Sequence, residues 1–438
     1  MRIIVIRREG KRIRFHFQQR KREEVLAFLD EPDSHAKEIE INLSSMIDHN
    51  MSKSFDIKWN ALKEQYDTIQ MFFLTVEAIG ELIPRYLIIK NEECVEEKVL
   101  SVFIPHVGSS KRSCNDYLIE YISRDILLVG NDELQFWSYI VHNYMSDINT
   151  SNILKYDKRR QYPVYLKEAY SAATFFTEEE EKRGKEQTQL LHITGEFVCF
   201  GARTALYNQA TLGTDFDYDY RNMKFEDYGL SIDCLQENVI QAVRMGRMEK
   251  PIQPMDNCID YAGSGANDFM DLYLVAHCKF LVVNATGIFS FASMFTRPVL
   301  MVNLVPISFG MGGIQLTQYD LFIPKKYYSK KEKRYLSLKE ITLLEVECSI
   351  WGSRYAKKGI QFIDNTPEEI KAAVEEMLQR LEGTWIETEE DKANYQRYLK
   401  IYEETREIAK NNKKNWTGEP IPYRLAASYL RNNMYLLD

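Results

Sequence analysis

The stretch Phe280-Leu-Val-Val-Asn284-Ala-Thr-Gly287 contains the pattern that indicates the fold of this chain most directly. A short apolar run ends in a polar, glycine-containing turn, and residues 288–295 then follow a helical pattern, so the stretch predicts a buried strand that leads directly into a helix. Such apolar runs joined by helices are typical of a parallel sheet covered on both faces. We therefore predict an α/β, doubly wound domain over residues 195–383, with strands at 197–200, 239–243, 258–261, 280–283 and 299–302 and helices at 226–237, 267–278 and 288–295.

The N-terminal part shows a second α/β pattern. Residues 3–6 and 13–17 predict two strands of a hairpin, and residues 98–105, 115–123 and 126–130 predict a βαβ unit. The charged segment after Thr177 predicts a helix that closes at Gly184 and serves as a hinge between two halves. The Thr366-Pro-Glu-Glu369 sequence has capping-box register and predicts a helix that ends at Gly383. Residues 387–411 and 423–437 predict two further helical segments.

Composition excludes several classes of protein. Of 438 residues, 45% are hydrophobic, and 64 acidic against 56 basic side chains give a net charge of −8. These values argue against a disordered chain, a fibrous protein and a general nucleic-acid binder. Seven scattered cysteines and dispersed histidines predict a reduced, cytoplasmic protein without a metal site. The longest apolar runs are too short for a membrane span. Eight basic residues between Arg7 and Arg22 indicate either a peripheral contact with anionic lipid or glycan, or a solvated hairpin.

Polar residues and glycines follow the predicted strands. In an open α/β sheet the carboxyl ends of the strands line the ligand crevice, so we expect these groups to meet at one edge. Arginine forks, backbone N–H groups at a helix start, and glycine suit a diphosphate. The strand-end segments are Gly201-Ala202-Arg203, Arg244-Met245-Gly246, Asn284-Ala-Thr286-Gly287 and Asn303.

Other ligand motifs are absent or ambiguous. Neither GxGxxG nor GxxxxGK[ST] occurs, which argues against oxidoreductase and nucleotide triphosphatase functions. The Asp215-Phe-Asp217-Tyr-Asp219 segment contains an Asp-x-Asp pair of the kind that binds a divalent cation, but it follows a polar stretch and is more typical of a solvated acidic loop. Ser264, within Gly263-Ser264-Gly265, is a candidate contact to a base or ribose, while Asn267 caps the following helix.

Four ordered motifs resemble a family of bacterial glycosyltransferases, over roughly residues 170–438. The motifs are Ala202-Arg203-Thr204-Ala-Leu-Tyr207, Tyr220-Arg221-Asn222, Val243-Arg244-Met245-Gly246, and the set Asp271-Leu, Phe280, Thr286-Gly287, Phe295-Thr-Arg-Pro298 and Asn303, followed by Ile323-Pro324-Lys325. Many members carry aspartate where this chain has Thr204, and this departure puts catalysis in question if that aspartate is the acid or base.

The resemblance implies a GT-B-like architecture of two Rossmann-like domains facing a cleft. Residues 1–175 would form the acceptor-side domain, 176–383 the nucleotide-sugar domain, and 384–438 a helical segment that packs back on them. It also implies a metal-independent enzyme without a cofactor that moves a sugar from a nucleoside diphosphate sugar to a glycan or lipid-linked glycan in surface polysaccharide synthesis. The predicted donor site comprises Arg203, Tyr207, Arg221, Asn222, Arg244, Gly246, Ser264, Asn284, Thr286, Gly287 and Asn303.

His106, which follows a predicted strand of the N-terminal half, is the candidate general base, although a structural histidine is the more common role for such a residue. A non-catalytic glycan-binding or assembly protein with the same fold is the main alternative, and Thr204 supports it. An adenosine-cofactor enzyme such as a methyltransferase is a weaker one, since the glycine-rich first loop is absent. The sequence leaves open the sugar, the acceptor, the stereochemical outcome and the oligomeric state.

Overall fold

Two units make up the chain in the computed structural model, Met1–Asp157 and Lys158–Asp438. The structure describes residues 2–9, 12–19, 52–66, 68–75, 79–80, 82–83, 86, 99–106, 114–124, 127–128, 134–144, 175–206, 209, 217–247, 249–307, 317–348, 350–411 and 423–438. Each unit contains parallel β-structure with helices, so the chain is a mixed α/β protein.

The first unit contains an antiparallel hairpin and a three-stranded parallel sheet. Its elements are β1 (Arg2–Glu9), β2 (Arg12–Gln19), α1 (Ser52–Gln65), β3 (Thr68–Thr75), β4 (Val99–His106), α2 (Asp116–Ser123), β5 (Leu127–Leu128) and α3 (Leu134–Asn143). β1 pairs with β2, and the parallel order is β3-β4-β5. The predicted hairpin is therefore confirmed, and so is the predicted βαβ unit, which is formed by β4, α2 and β5.

Helices α1 and α3 pack through aromatic side chains. Trp59 and Trp137 are both fully buried, and their rings meet edge to face at 6.5 Å between centroids. Phe55 contacts Phe136 in the same way at 5.7 Å. Edge-to-face contacts place the positive edge of one ring on the negative face of another, and they add to the gain from burying apolar area.

The second unit is built around a larger sheet. Its elements are α4 (Glu178–Leu190), β6 (Phe197–Gly201), α5 (Gly229–Glu237), β7 (Gln241–Met245), β8 (Cys258–Ile259), α6 (Asp268–His277), β9 (Leu281–Val283), α7 (Phe289–Phe295), β10 (Val299–Leu304), β11 (Leu321–Pro324), β12 (Lys326–Ser329), β13 (Arg334–Tyr335), α8 (Leu338–Cys348), α9 (Gly352–Lys357), β14 (Ile360–Ile363), α10 (Pro367–Glu382), α11 (Glu389–Asn411), β15 (Arg424–Leu425) and α12 (Ala427–Leu430).

The strand order of this sheet contains a topological switch point. The seven strands run β15-β11-β10-β9-β6-β7-β8, and every neighbouring pair is parallel. From β6 the chain adds β7 and β8 on one side, then returns to place β9, β10 and β11 on the other. This is the 3-2-1-4-5-6 order of doubly wound dinucleotide folds, extended by β15, and its ligand crevice lies where the order reverses, between β6 and β9.

The apolar runs of the sequence are the buried strands. All residues of β6, β9 and β10 are buried, as expected for strands covered on both faces. The prediction for the second strand is wrong by two residues, because Val239 adopts a left-handed conformation with φ 58° and is 88% exposed. The N–H of Ile240 donates to the carbonyl of Leu235, so this apolar pair closes helix α5 before β7 begins.

The prediction that a helix closes at Gly184 is wrong. Helix α4 begins at a capping box formed by Thr177 and Glu180 and runs through Gly184 to Leu190. A Cβ added at Gly184 would lie 2.2 Å from the Tyr273 ring. The glycine therefore serves close packing of α4 against α6 within the helix, and it is not a terminator or a hinge.

The predicted start and end of α10 are confirmed. Thr366 accepts from the N–H of Glu369, the Glu369 carboxylate accepts from the N–H of Thr366, and Pro367 occupies the first turn. Gly383 ends the helix in the left-handed region, with φ 72°. Such a cap needs a residue that tolerates positive φ without steric cost.

The C-terminal segment is helical only in part. The first predicted helix is confirmed as α11, but residues 423–437 are divided among β15, α12 and the 3₁₀ turn Met434–Leu437. β15 pairs with β11, and this pairing holds its two residues extended. The Glu376 carboxylate accepts from the N–H groups of Ala427 and Ser428, at 3.2 and 2.8 Å, and so starts α12.

Candidate functional site

Asn284 joins three loops at the switch point of the sheet. It follows β9, and its Oδ1 accepts from the N–H of Arg203, which follows β6, at 2.8 Å. Its Nδ2 donates to the carbonyl of Arg221 at 2.7 Å. Asn284 is 1% exposed, so its role is to hold these loops together. The amide side chain thereby brings the Arg203 and Arg221 segments to the glycine turn at 284–287.

Two arginines flank this turn. The Nη1 of Arg203 donates to the carbonyl of Tyr218 at 3.0 Å and also to Oδ1 of Asn222. The Nη2 of Arg221 donates to the carbonyl of Ala285 at 2.8 Å. Both arginine side chains are half-buried. The predicted site residues Arg203, Arg221, Asn222 and Asn284 are thus brought together at one edge of the sheet.

Lys325 adds a third cation beside the same loop. It follows β11 and is 3% exposed. Its Nζ lies 2.9 Å from the carbonyl of Asn222 and 2.7 Å from a carboxylate oxygen of Asp364. The lysine therefore ties the Asn222 loop to Asp364 at the end of β14.

The glycine turn differs in detail from the predicted phosphate cradle. Thr286 is half-buried and Gly287 is exposed. The N–H groups of Ile288 and Phe289, expected to face a ligand, instead donate to the hydroxyl and the carbonyl of Thr286, at 3.2 and 3.4 Å. At Gly287 the turn leaves room for a ligand to approach the backbone closely, whereas the N–H groups of Ile288 and Phe289 are already bonded within the turn.

Arg244 is placed differently from expectation. Although it lies on β7 near the same edge, it is 5% exposed. Its guanidinium forms ion pairs with Glu249 at 3.1 Å and Asp260 at 2.8 Å, and donates to the carbonyl of Lys250 at 2.9 Å. The fork that we expected to contact a diphosphate is bonded to two carboxylates, and it holds the loop between β7 and β8.

Gly246 and Arg247 complete the same loop. Gly246 has φ 156°, and a Cβ there would lie 2.8 Å from Cγ of Glu249. Arg247 forms ion pairs with Asp268 and, at 2.7 Å, with Asp271. Burial raises the pKa of Asp271, while Arg247 opposes that increase. Gly246 therefore makes room for a carboxylate, and no ligand contact is needed to explain it.

Asn303 lies behind the rim. It is fully buried, and its side-chain oxygen accepts from the N–H of Asn365 while its own N–H donates to Oδ1 of Asn365, both at 2.6 Å. Asn365 also donates to the carbonyl of Pro324 at 2.7 Å. Asn303, which we predicted to lie in the donor site, forms a reciprocal amide pair with Asn365 that joins β10, β11 and β14.

The other residues singled out in the sequence lie on different loops and strands. Ser264 is exposed, next to Gly263, where a Cβ would clash with Asp260 at 2.3 Å. Asn267 caps α6, as predicted. His106 is the last residue of β4, and its side chain lies outside the described residues, as does Tyr207.

The Asp-x-Asp segment has a structural role where it is described. Asp215 lies outside the described residues, but the Asp217 carboxylate accepts from the N–H of Ser353 at 2.7 Å, and its carbonyl accepts from the N–H of Gly352 at 3.1 Å. Asp217 therefore satisfies the first turn of α9. Among the described residues there is no group of three or more His, Cys, Asp or Glu side chains arranged to hold a metal ion.

Glu249 and Asp260 are the residues that sequence reasoning missed. Both contact Arg244, and Glu249 is also bonded to Thr204 at 2.6 Å. The available signal was a strand-end arginine in an apolar run followed by three carboxylates within sixteen residues, since a buried charge requires a partner. Two surface pockets, of about 470 and 620 Å³, lie along α4 and beside Tyr335. Neither pocket is lined by the residues at the switch point of the sheet.

The chain is similar to two solved structures. No family model and no curated protein matches the sequence. Two solved structures are similar: Escherichia coli ADP-heptose LPS heptosyltransferase II and a family 9 glycosyl transferase from Veillonella parvula DSM 2008. For both, identity is 11%, 72% of this chain is covered and the TM-score is 0.39; the shares of their own chains are 99% and 97%. Similarity at this level carries no argument about fold or function.

Membrane-spanning helices are absent from the described part of the chain. No helix there has both the length and the apolar character that crossing a bilayer requires.

Proposed function

We propose that this protein is a glycosyltransferase that uses a nucleoside diphosphate sugar as donor. One observation carries the proposal: Asn284 gathers Arg203, Arg221 and the exposed Gly287 turn at the switch point between β6 and β9. Open α/β sheets bind ligands at this position, and arginine forks with close backbone approach suit a diphosphate. The resemblance of the motifs around these residues to a glycosyltransferase family supports the same class.

The chemistry of the proposal follows from the leaving group. An acceptor hydroxyl oxygen attacks the anomeric carbon of the sugar, and the bond between that carbon and the diphosphate oxygen breaks. Negative charge builds up on the departing diphosphate, which Arg203 and Arg221 would stabilise electrostatically. The acceptor proton passes to a base, for which His106 remains our candidate. The proposed acceptor is a glycan or lipid-linked glycan of a bacterial surface polysaccharide, within a GT-B-like architecture.

Of the predicted donor residues, Arg203, Arg221, Asn222, Thr286, Gly287 and Ser264 keep a donor-binding role in the proposal, whereas the buried Asn284 holds their loops in place. Tyr207 stays a prediction from its motif. We assign Arg244, Gly246 and Asn303 to support of the loops, because Arg244 and Asn303 are buried against protein partners. Metal independence is also part of the proposal, and it accords with the capping role of Asp217.

A donor screen tests this function. Nucleotide sugars and free nucleoside diphosphates are added to the protein, with EDTA or with Mn²⁺, and the melting temperature is measured. A donor at one hundred times its Kd stabilises the folded state by about 2.7 kcal/mol, so we expect one nucleotide sugar to raise the melting temperature equally in both conditions. No response to any nucleotide sugar, together with a response to a glycan, would instead identify a non-catalytic glycan-binding protein.

Arg203→Lys tests the placement of the donor. Lysine keeps the charge but loses the planar fork, so we expect donor affinity to fall about 10- to 100-fold by calorimetry. Arg124→Lys is the matched control, because Arg124 forms an exposed ion pair with Glu120 at 3.9 Å in the other unit. Equal donor affinity in both variants and the original protein would remove Arg203 from the site.

A further inference from the structure

The carboxylate of Glu249 is held from two sides at the carboxyl edge of the sheet. Its Oε1 accepts from the Thr204 hydroxyl at 2.6 Å, and its Oε2 accepts from Nη2 of Arg244 at 3.1 Å. The side chain is only 8% exposed. Gly246 leaves the space that its Cγ occupies. A buried carboxylate with two donors is well compensated, so it keeps a defined position.

This carboxylate links the loops that follow two neighbouring strands. Thr204 belongs to the turn after β6, whereas Glu249 belongs to the loop after β7. The same Thr204 hydroxyl accepts from the N–H of Leu206 at 3.3 Å, and the preceding N–H, that of Arg203, donates to Asn284. The backbone on both sides of Thr204 is therefore held, and the position of Arg203 depends on it.

We propose that Glu249 is a positioning residue of the donor site, acting through Thr204 on the turn that carries Arg203. The role in donor binding rests on the function proposed above. On this view Thr204 is not the remnant of a lost catalytic group, because its hydroxyl donates the hydrogen bond that the buried Glu249 carboxylate needs. Aspartate at position 204 would place a second carboxylate against Glu249 and would destabilise the turn by like-charge repulsion.

The test compares Glu249→Gln and Thr204→Val. Glutamine keeps the shape of glutamate but loses its charge, and valine keeps the shape of threonine but loses the hydroxyl. Amide hydrogen exchange at Arg203 and Leu206 is measured in each variant, and donor affinity is measured by calorimetry. We expect faster exchange at both amides and about tenfold weaker donor binding in each single variant. The double variant should be no worse than either single one, because both remove the same link.

A variant outside the proposed site serves as the control for both measurements. Glu347→Gln removes a carboxylate from an exposed ion pair with Lys358 and should leave both measurements unchanged. Unchanged exchange at Arg203 and Leu206 in both variants, or additive losses in the double variant, would overturn the positioning role. Absence of donor binding in the original protein would overturn the proposed function, whereas the exchange data would still decide whether Glu249 positions the turn.

Thr204→Asp separates this role from loss of a catalytic group. If Glu249 needs a hydroxyl donor, the substitution should accelerate exchange at Leu206 and weaken donor binding, and adding Glu249→Gln should recover part of both. If transfer activity or donor affinity instead increases in Thr204→Asp alone, residue 204 lacks a required carboxylate, and our proposal is wrong.

Discussion

Arg203 and Arg244 come from neighbouring parallel strands, but their guanidinium groups have different surroundings. Arg203 is half-buried, and it donates to the carbonyl of Tyr218 and the amide oxygen of Asn222. Arg244 is buried between two carboxylates. An isolated buried charge is costly, so a guanidinium with two ion partners is already satisfied and would lose energy by turning to a ligand. We therefore propose separate roles for the two arginines, donor contact for Arg203 and loop support for Arg244.

We predict that Arg244→Ala destabilises the protein by about 3–5 kcal/mol, because it leaves Glu249 and Asp260 as buried or half-buried carboxylates without their cation. Urea unfolding followed by circular dichroism measures this. Lys358→Ala breaks an exposed ion pair with Glu347 and should cost less than about 1 kcal/mol. Similar unfolding midpoints for the two variants would contradict the supporting role of Arg244.

Whether a glycine ends a helix or lies within it depends on the side chains that pack against it. Gly383 ends α10 through a left-handed cap, which a local pattern identifies. Gly184 also follows a run of charged helix-forming residues, but it lies inside α4, where the Tyr273 ring occupies the place of a side chain. The distant ring, not the adjacent residues, determines the role of Gly184.

We predict that Gly184→Ala destabilises the protein by about 1–3 kcal/mol, although alanine is normally the better residue within a helix. The added methyl would overlap the Tyr273 ring. Gly229→Ala in α5 is the control, since the nearest atom to its Cβ is 3.7 Å away, and it should be neutral or stabilising by up to about 1 kcal/mol. Thermal unfolding measures both. A stabilised Gly184→Ala protein would refute the packing argument.

At the scale of the whole molecule, each unit has its own parallel sheet, and the second is extended by the C-terminal segment. β15 adds a seventh strand, and the Tyr429 hydroxyl donates to the carbonyl of Pro324 at 3.1 Å. Arg431, which follows α12, pairs with Asp391 at 2.6 Å in the first turn of α11. These contacts make residues 423–438 part of the folded core of the second unit.

The Asp391–Arg431 pair makes this attachment sensitive to acid. Hydrogen bonding from Arg431 lowers the pKa of Asp391 from 3.8 to about 2. Because the folded-state pKa is depressed, the pair stabilises fully above pH 4, and its contribution is lost as pH falls from about 4 to about 2. We predict that Asp391→Asn lowers the urea midpoint at pH 6, and that the difference from the original protein shrinks toward pH 2. A difference independent of pH would contradict this, and Asp256→Asn on an exposed turn is the control.

Local sequence patterns were sufficient to locate the buried strands β6, β9 and β10, the starts of α6 and α10, and the positions of Arg203 and Asn284 after strands of one sheet. These features depend on apolar runs and on caps formed by residues three positions apart, so nearby residues suffice. The position of Gly184 within a helix, the edge strand at residues 424–425 and the ion pairs of Arg244 with Glu249 and Asp260 could be seen only in the folded structure. The reason is physical: a packing gap, an open sheet edge and a buried charge are each satisfied by groups that folding brings from elsewhere in the chain.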